Sequence, residues 1–532
     1  MTAVPPSPAH PPAPTPAAAG GARRRSRPDE RTPVLVGVGQ ATQRLDDPAA
    51  ADEPVDLLAR AAAAAADDSG VGRALLDHLD TVVVAELICW RYPDPGALLA
   101  RRLGLGPVRT VVTTVGGNSP QMALGRAAAA IAAGACDVVL LGGVECMHTR
   151  WRARRVEPKV HLAWTHAEDP PCPEVWGDAR PGTNGYEMAH MALAPVHIYP
   201  LFETARRGAA GRDATTHAVV ISELWARFAA VAAENPYAWS QVPWTAEEIR
   251  TPGPDNRLVA APYTKRMCAN LGVDQAAAVL CCSYGTARAA GVPDDRLVFP
   301  LASAEAHDHW WFSERWSLAS SPAIAFAGRA ALAAAGRDVD DVARFDLYSC
   351  FPSAVQLAAD ALGLALDDPR PFTVTGGLAF AGGPGNNYST HAIARMVEAC
   401  RADPGSVGLV SALGWYATKH AVGLYATTPP DGGFRLVDDL QARVDALPRR
   451  RVAAGYAGEA TIEATTVVVD RDGAPTHAIL AALTPDGRRA LATSTDADVA
   501  GAMIDEAWEG RVVQLRPDGD TNRLDPVGVR AP

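Results

Sequence analysis

The sequence predicts an α/β chain of two βαβ-rich halves followed by a small all-β domain. Three observations carry that prediction. VRTVVTTVGGNSPQMALGRAAAAIAAGACDVVLLGGVE sets an apolar β-branched run, a glycine turn, an Ala-rich helix and a second buried run in order. TGGLAFAGGPGNNYSTHAIARMVEACRADPGSVGLVSALGW repeats the turn, helix and strand in the second half, the mark of an internal duplication. After PPDGGF the composition changes to alternating β runs broken by DRDG and TPDG, which are hairpin signals of a separate barrel.

A chain of 532 residues with 48% hydrophobic and 20% charged residues has room for two or three globular domains. No apolar run approaches the ~18 residues needed to span a bilayer. The net charge of −11 gives no footprint for nucleic acid or an anionic membrane, so neither is an expected partner and a cytoplasmic location is expected. Nine scattered cysteines without a CxxC pair suggest neither a disulfide framework nor a metal site.

In chain order, residues 1–32 read as a disordered Pro/Ala/Arg tail without the apolar core of a secretory signal. Residues 33–295 form the first half, opening with the strand PVLVGVGQ, the helix VDLLARAAAAAADD and the strand TVVVAE. Pro120 suits the first turn of the next helix, with Asn118 or Ser119 as its cap, so the helix dipole points at whatever lies above Gly116 and Gly117. From about 147 to 244 the rhythm is lost in a Trp-, His-, Tyr- and Pro-rich cap. Residues 296–434 make the second half and 435–532 the β domain.

GGNSPQMALGRAAAAIAAGACDVVLLGGVE, NLGVDQAAAVLCCS, LYSCF and GGLAFAGGPG resemble, in order and spacing, the thiolase superfamily, close to the sterol-carrier-protein type. With NGYEMA, NPYAWS, YATKHAVGLY and the terminal β domain, the chain is similar to actinobacterial thiolase-like proteins that carry an additional C-terminal OB-like domain and are described as acetyl-CoA acetyltransferases. The resemblance implies a layered α-β-α-β-α thiolase fold, a coenzyme A thioester as substrate or ligand, no metal, and either a homodimer or a monomer.

Thiolase chemistry needs a nucleophilic cysteine at a helix N-terminus, a His in a Gly-His-Pro turn and a second acid/base thiol. This chain has Gly117 at the nucleophile's position and Gly383 at the histidine's. Ser119 is the nearest hydroxyl, or else a helix cap. Asn386 and Asn387 can donate to a thioester oxygen or simply form turns, and Asn118, with Gly117, Ser119, Gly383 and Lys419, is a candidate to bind the CoA ester. Where sterol-carrier-type thiolases read His-Asp-Cys-Phe, the chain reads Tyr348, Ser349, Cys350, Phe351. Cys350 falls on the acid/base cysteine; it serves as acid/base, as a nucleophile if exposed, or as a buried structural thiol. Tyr348 exchanges an imidazole for a phenol, as in thiolase-fold retro-aldolases that work with an OB-fold partner; Tyr388 is a loose second match. Three readings follow: a divergent acyltransferase using Cys350, a lyase on β-hydroxyacyl-CoA using Tyr348, or a non-catalytic CoA-ester-binding protein.

Only three of the 49 basic residues are lysines, Lys159, Lys265 and Lys419. Lys265 and Lys419 lie in family-like stretches, where either can meet a CoA phosphate as a point charge or be merely solvated. His420 beside Lys419 is read either as acid/base or as loop packing.

Overall fold

A computed structural model describes residues 28–525. β1 (Pro33–Thr42), α1 (Pro54–Asp68), β2 (Thr81–Val84), α2 (Pro95–Arg102), β3 (Arg109–Thr113), α3 (Ser119–Ala132) and β4 (Val138–Cys146) open the first half. Pro54 starts α1, which lays Leu57, Leu58, Ala61 and Ala65 on the sheet. The approach is close: a Cβ at Gly37 would stand 1.9 Å from the Ala65 carbonyl oxygen, so only glycine fits. Residues 28–32 are not part of a loose tail as expected, because the Arg31 guanidinium ties them to Asp137 and to the carbonyls of Ile131 and Cys136. The rest of the expected tail, with its RRRSR run, lies outside the described residues.

The cap follows as α4 (Met147–Ala153), β5 (Val175–Trp176), α5 (Gly185–Ala189), α6 (Pro195–Ala209), α7 (Ala214–Glu234), α8 (Ala246–Arg250), β6 (Leu258–Ala260) and β7 (Tyr263–Thr264). It runs on to residue 273 instead of ending near 244, because β6 and β7 are drawn away from the core to pair with the C-terminal domain. β8 (Asp274–Ser283) and α9 (Tyr284–Ala290) return to the first sheet. The second half holds β9 (Phe299–His307), α10 (Pro322–Ala334), β10 (Val342–Asp346), α11 (Pro352–Leu362), α12 (Gly377–Phe380), α13 (Tyr388–Ala402), β11 (Val407–Gly414), β12 (Lys419–Ala426), β13 (Arg435–Val437) and α14 (Gln441–Asp445).

The duplication shows in the strand order. The first sheet runs β1-β8-β4-β2-β3-β5 and the second β13-β9-β12-β11-β10, so β1-β8-β4-β2 and β9-β12-β11-β10 correspond. Both have one parallel and two antiparallel pairings in the same places. α3 and α13 pack together between the sheets, α1 covers the outer face of the first, and α10, with α11 packed against it, covers that of the second. The predicted thiolase fold is thus five layers, with the N-termini of both central helices meeting where the glycine turns lie.

The C-terminal domain has β14 (Gly458–Val469), β15 (Pro475–Leu483), β16 (Arg489–Ser494), α15 (Ala497–Asp505), β17 (Val512–Asp518) and β18 (Thr521–Leu524). The order β14-β15-β16-β18-β17 closes back on β14, an OB-like barrel with its helix between the third and fourth strands. Its hairpin turns are the predicted DRDG and TPDG segments. The barrel is fixed to the core by buried charge. Arg489 is fully enclosed, pairs with Glu463 and donates to the carbonyls of Phe312 and Ser313; Arg207 forks onto Glu509.

Candidate active site

The two glycine turns converge beside the end of β11. Asn118 stands at the cap position of α3, but its side chain makes no capping bond; Ser119 is the first helical residue and its hydroxyl donates to the Thr114 carbonyl at 2.7 Å. The Ser119 hydroxyl is thus occupied, whereas the Asn118 side-chain oxygen is buried without a hydrogen-bond partner among the described residues. Asn386 is committed too: it accepts from the Gly116 amide at 2.9 Å and donates to the Glu86 carbonyl at 2.7 Å, tying the second turn to the first. Ser389 strengthens the tie by donating to the Gly117 carbonyl at 2.6 Å.

Tyr348 decides what the site can do. It follows β10, its backbone amide donates to the Ser411 hydroxyl, and its ring reaches across to the first turn. A Cβ at Gly117 would stand 2.0 Å from the Tyr348 hydroxyl oxygen and 2.7 Å from the Leu413 carbonyl oxygen. The phenol therefore occupies the space of the side chain that Gly117 lacks. Among the described residues no group hydrogen-bonds the Tyr348 hydroxyl. Burial, with Cys350 nearby, pushes this phenol above its ordinary range, so at neutral pH it is a hydrogen-bond donor. Tyr388 stands edge-on to it, ring centres 5.4 Å apart, but its hydroxyl is held by Asp346 and Thr375 and points away from the first turn's glycines.

Cys350 is buried, and burial pushes its thiol up to about 12, although Tyr199 of the cap, close by, acts in the opposite direction. The thiol is therefore protonated at neutral pH. Gly383 is bonded through its amide to the Asn270 carbonyl at 2.9 Å and leaves more room: the nearest atom to a Cβ there would be that same oxygen at 3.3 Å.

Lys419 corrects an expectation. It is buried, not a surface charge for a CoA phosphate, because β12 sends it inward beneath the first turn, where its ammonium donates to the carbonyls of Val115 and Asp178. Burial lowers it to about 8. Lys265 is exposed at the edge of the cap. His420 points to the opposite face of β12 and is bound to Asp308 and to the Ala417 carbonyl. Sequence reasoning missed Asp308 and Tyr199. The Ser321-Pro322 helix start that receives Asp308 is a local signal, but nothing local says which carboxylate it receives.

Comparison with known proteins supplies the family. The structure superposes with a TM-score of 0.79 on a monomeric SCP2-thiolase-like protein type 1 from Mycobacterium smegmatis, 34% identical, covering 93% of this chain and 99% of that one. The chain belongs to the thiolase-like proteins of type 1. Residues 439–520 of this thiolase-like chain match the model of the thiolase-like protein type 1 additional C-terminal domain. An acetyl-CoA acetyltransferase of Methanocaldococcus jannaschii is 26% identical over 267 residues, so the chain spans 60% of that relative's length. A solved Ltp2-ChsH2(DUF35) aldolase shares the fold, with a TM-score of 0.56 at 18% identity over 75% of this chain and 98% of that one. Among the described residues of this thiolase-like protein, no group of side chains is arranged to hold a metal and no helix is long and apolar enough to cross a membrane.

Proposed function

We propose that this protein binds a coenzyme A thioester and breaks the Cα–Cβ bond of a β-hydroxyacyl chain by proton transfer, with no acyl-enzyme. The observation that carries the reading is the Tyr348 hydroxyl in the space that a Gly117 side chain would need. A thiolase places its attacking sulfur at this helix N-terminus; here the same point holds an unpartnered phenol, and the remaining cysteine is buried and protonated. A neutral phenol beside a helix N-terminus suits hydrogen bonding to an alkoxide or enolate oxygen. The fused barrel and the fold shared with the Ltp2-ChsH2(DUF35) aldolase support the same reading. With Lys419 buried, Lys265 and arginines are the cations left for the phosphates of CoA. β5 pairs along the outer edge of β3, and this cover supports a monomer.

The test is to incubate the protein with β-hydroxyacyl-CoA and follow both the protein mass and the small products. The reading expects an unmodified protein mass and release of an aldehyde or ketone. Tyr348→Phe is expected to lower the rate about 10²–10⁴-fold while CoA esters still raise Tm. A covalent acyl adduct that disappears in Cys350→Ala would favour acyl transfer instead, and ligand-induced stabilisation without any product would leave a binding protein.

A further inference from the structure

Arg315, in the segment between β9 and α10, is buried, and among the described residues no carboxylate forms an ion pair with it. Its guanidinium donates instead from Nε to the His309 carbonyl at 3.1 Å and from Nη2 to the Thr418 hydroxyl at 2.8 Å. Nη1 makes no hydrogen bond among the described residues. A buried arginine is normally paired, because a cation taken out of water without a counter-charge is costly. The two carboxylates whose charge reaches it are engaged elsewhere. Asp308 takes the Ala323 amide at 3.0 Å and the Ser321 hydroxyl and lies 3.3 Å from His420 Nε2. Glu187 takes the amides of Ser313 at 2.9 Å and Asn184 at 3.2 Å.

Arg315 lines a cavity of about 170 Å³ between residues 308–322 and the 444–448 segment that leads into the barrel. It lies on the α10 side of β12, away from Lys419 and the first turn. Its volume is that of roughly six water molecules. The inner end is polar: beside Arg315 stand the hydroxyls of Ser317 and Ser320, and Ser317 accepts the Ala319 amide at 3.1 Å, which leaves its O–H free to donate. The remaining wall is apolar, with Val444 and Leu447 on one side and Trp316 on the other. Trp316 is 55% exposed, so it stands at the mouth. Arg450 lies 4.3 Å over its ring and donates to its carbonyl at 2.7 Å, fixing the indole there.

We propose that this cavity binds a small aliphatic carboxylate, with its head on Arg315 Nη1 and the Ser317 and Ser320 hydroxyls and its hydrocarbon against Trp316, Val444 and Leu447. A carboxylate supplies the counter-charge that the buried guanidinium lacks, in a charge-assisted hydrogen bond. A metal cation is repelled by the same guanidinium, and an inorganic anion leaves the apolar wall unused. The volume is too small for a whole coenzyme A ester, so the site is separate from the one at Tyr348 and does not rest on the lyase reading. At the mouth Arg449 faces Asp445 at 3.8 Å, while Arg450 makes no ion pair among the described residues, which favours entry of an anion.

Proton–nitrogen NMR of the full-length protein, with the Trp316 indole N–H assigned by its loss in Trp316→Phe, tests the site by titration with hexanoate, hexanamide or sulfate at one ionic strength. Hexanoate is expected to move the Trp316 signal and to saturate with a Kd of about 1 mM or tighter. Hexanamide, which lacks the charge, should bind at least about 10-fold more weakly. Trp316→Ala, at an exposed position, should weaken hexanoate binding about 10-fold by calorimetry. Arg315→Gln should abolish it; if that variant does not fold, Trp316→Ala and the hexanamide comparison decide. No saturable movement of the indole signal, equal binding of hexanamide, or an equal response to sulfate, the mark of an adventitious ion only, overturns the proposal. Hexanoate binding is expected to survive Tyr348→Phe, and its loss there would place the carboxylate at the thioester site instead. Failure to bind hexanoate leaves the lyase reading standing, and absence of turnover leaves this site standing.

Discussion

The two glycine turns were made by one duplication and have been emptied of their side chains in different ways. At Gly117 the vacated volume has been refilled: the Tyr348 hydroxyl and the Leu413 carbonyl stand where a Cβ would project. At Gly383 the space is only narrow, with a single backbone oxygen 3.3 Å from the Cβ position. The difference teaches that a side chain at position 117 would have to displace Tyr348, whereas one at position 383 would meet only a backbone oxygen. A cysteine side chain does not fit at position 117 while Tyr348 is in place, so the two compete for one space.

Gly117→Cys is the strongest way to break this comparison. It forces overlap with two neighbours, and a destabilisation of about 3 kcal/mol or more is expected in urea unfolding. Adding Tyr348→Ala should recover much of that loss; additive effects of the two changes would refute the idea that they compete for one space.

Lys419 beneath the first turn gives a second test, through pH. Its amine is lowered to about 8 when folded, against about 10.4 in the unfolded chain. The unfolded state therefore binds more protons between these values, so stability rises with pH there. The penalty is fully present below pH 8 and is relieved as pH rises towards 10.4. Wild type measured against Lys419→Met should gain stability across that window, by at most on the order of 3 kcal/mol; a flat difference curve would mean the amine is not held as the structure shows.

Asn386→Ala removes the strut between the turns and leaves the Gly116 amide and Glu86 carbonyl without partners, at an expected cost of about 1–3 kcal/mol. Gly383→Ala should be the mildest change. The Asn270 oxygen must yield by a few tenths of an ångström, and a shift below about 1 kcal/mol in urea unfolding is expected. A large loss there would erase the contrast between the turns.

Much of the architecture was legible because its signals are local. β-Branched runs, the Pro120 helix start, and the DRDG and TPDG turns each act over a few residues, and the structure places strands, α3 and hairpins there. The site was legible only as an inventory. Gly117 and Tyr348 meet and Cys350 lies nearby, while Ser119 and Asn386 are bonded to backbone groups. Lys419 was misread because a lysine in a loop-like stretch looks solvated, whereas the alternation of β12 turns it inward and His420 outward toward α10 and α11.

By itself, then, the sequence determined the duplicated α/β core and the β domain that follows it, since propensity, turn chemistry and motif order are written along the chain. Only the tertiary structure decided that Tyr348 fills the space beside Gly117, that Cys350 is buried and that Asp308 stands behind His420. These are contacts between segments far apart in the chain. They are fixed by the packing of α3 and α13 between two sheets and of α10 over the second, which no local pattern encodes.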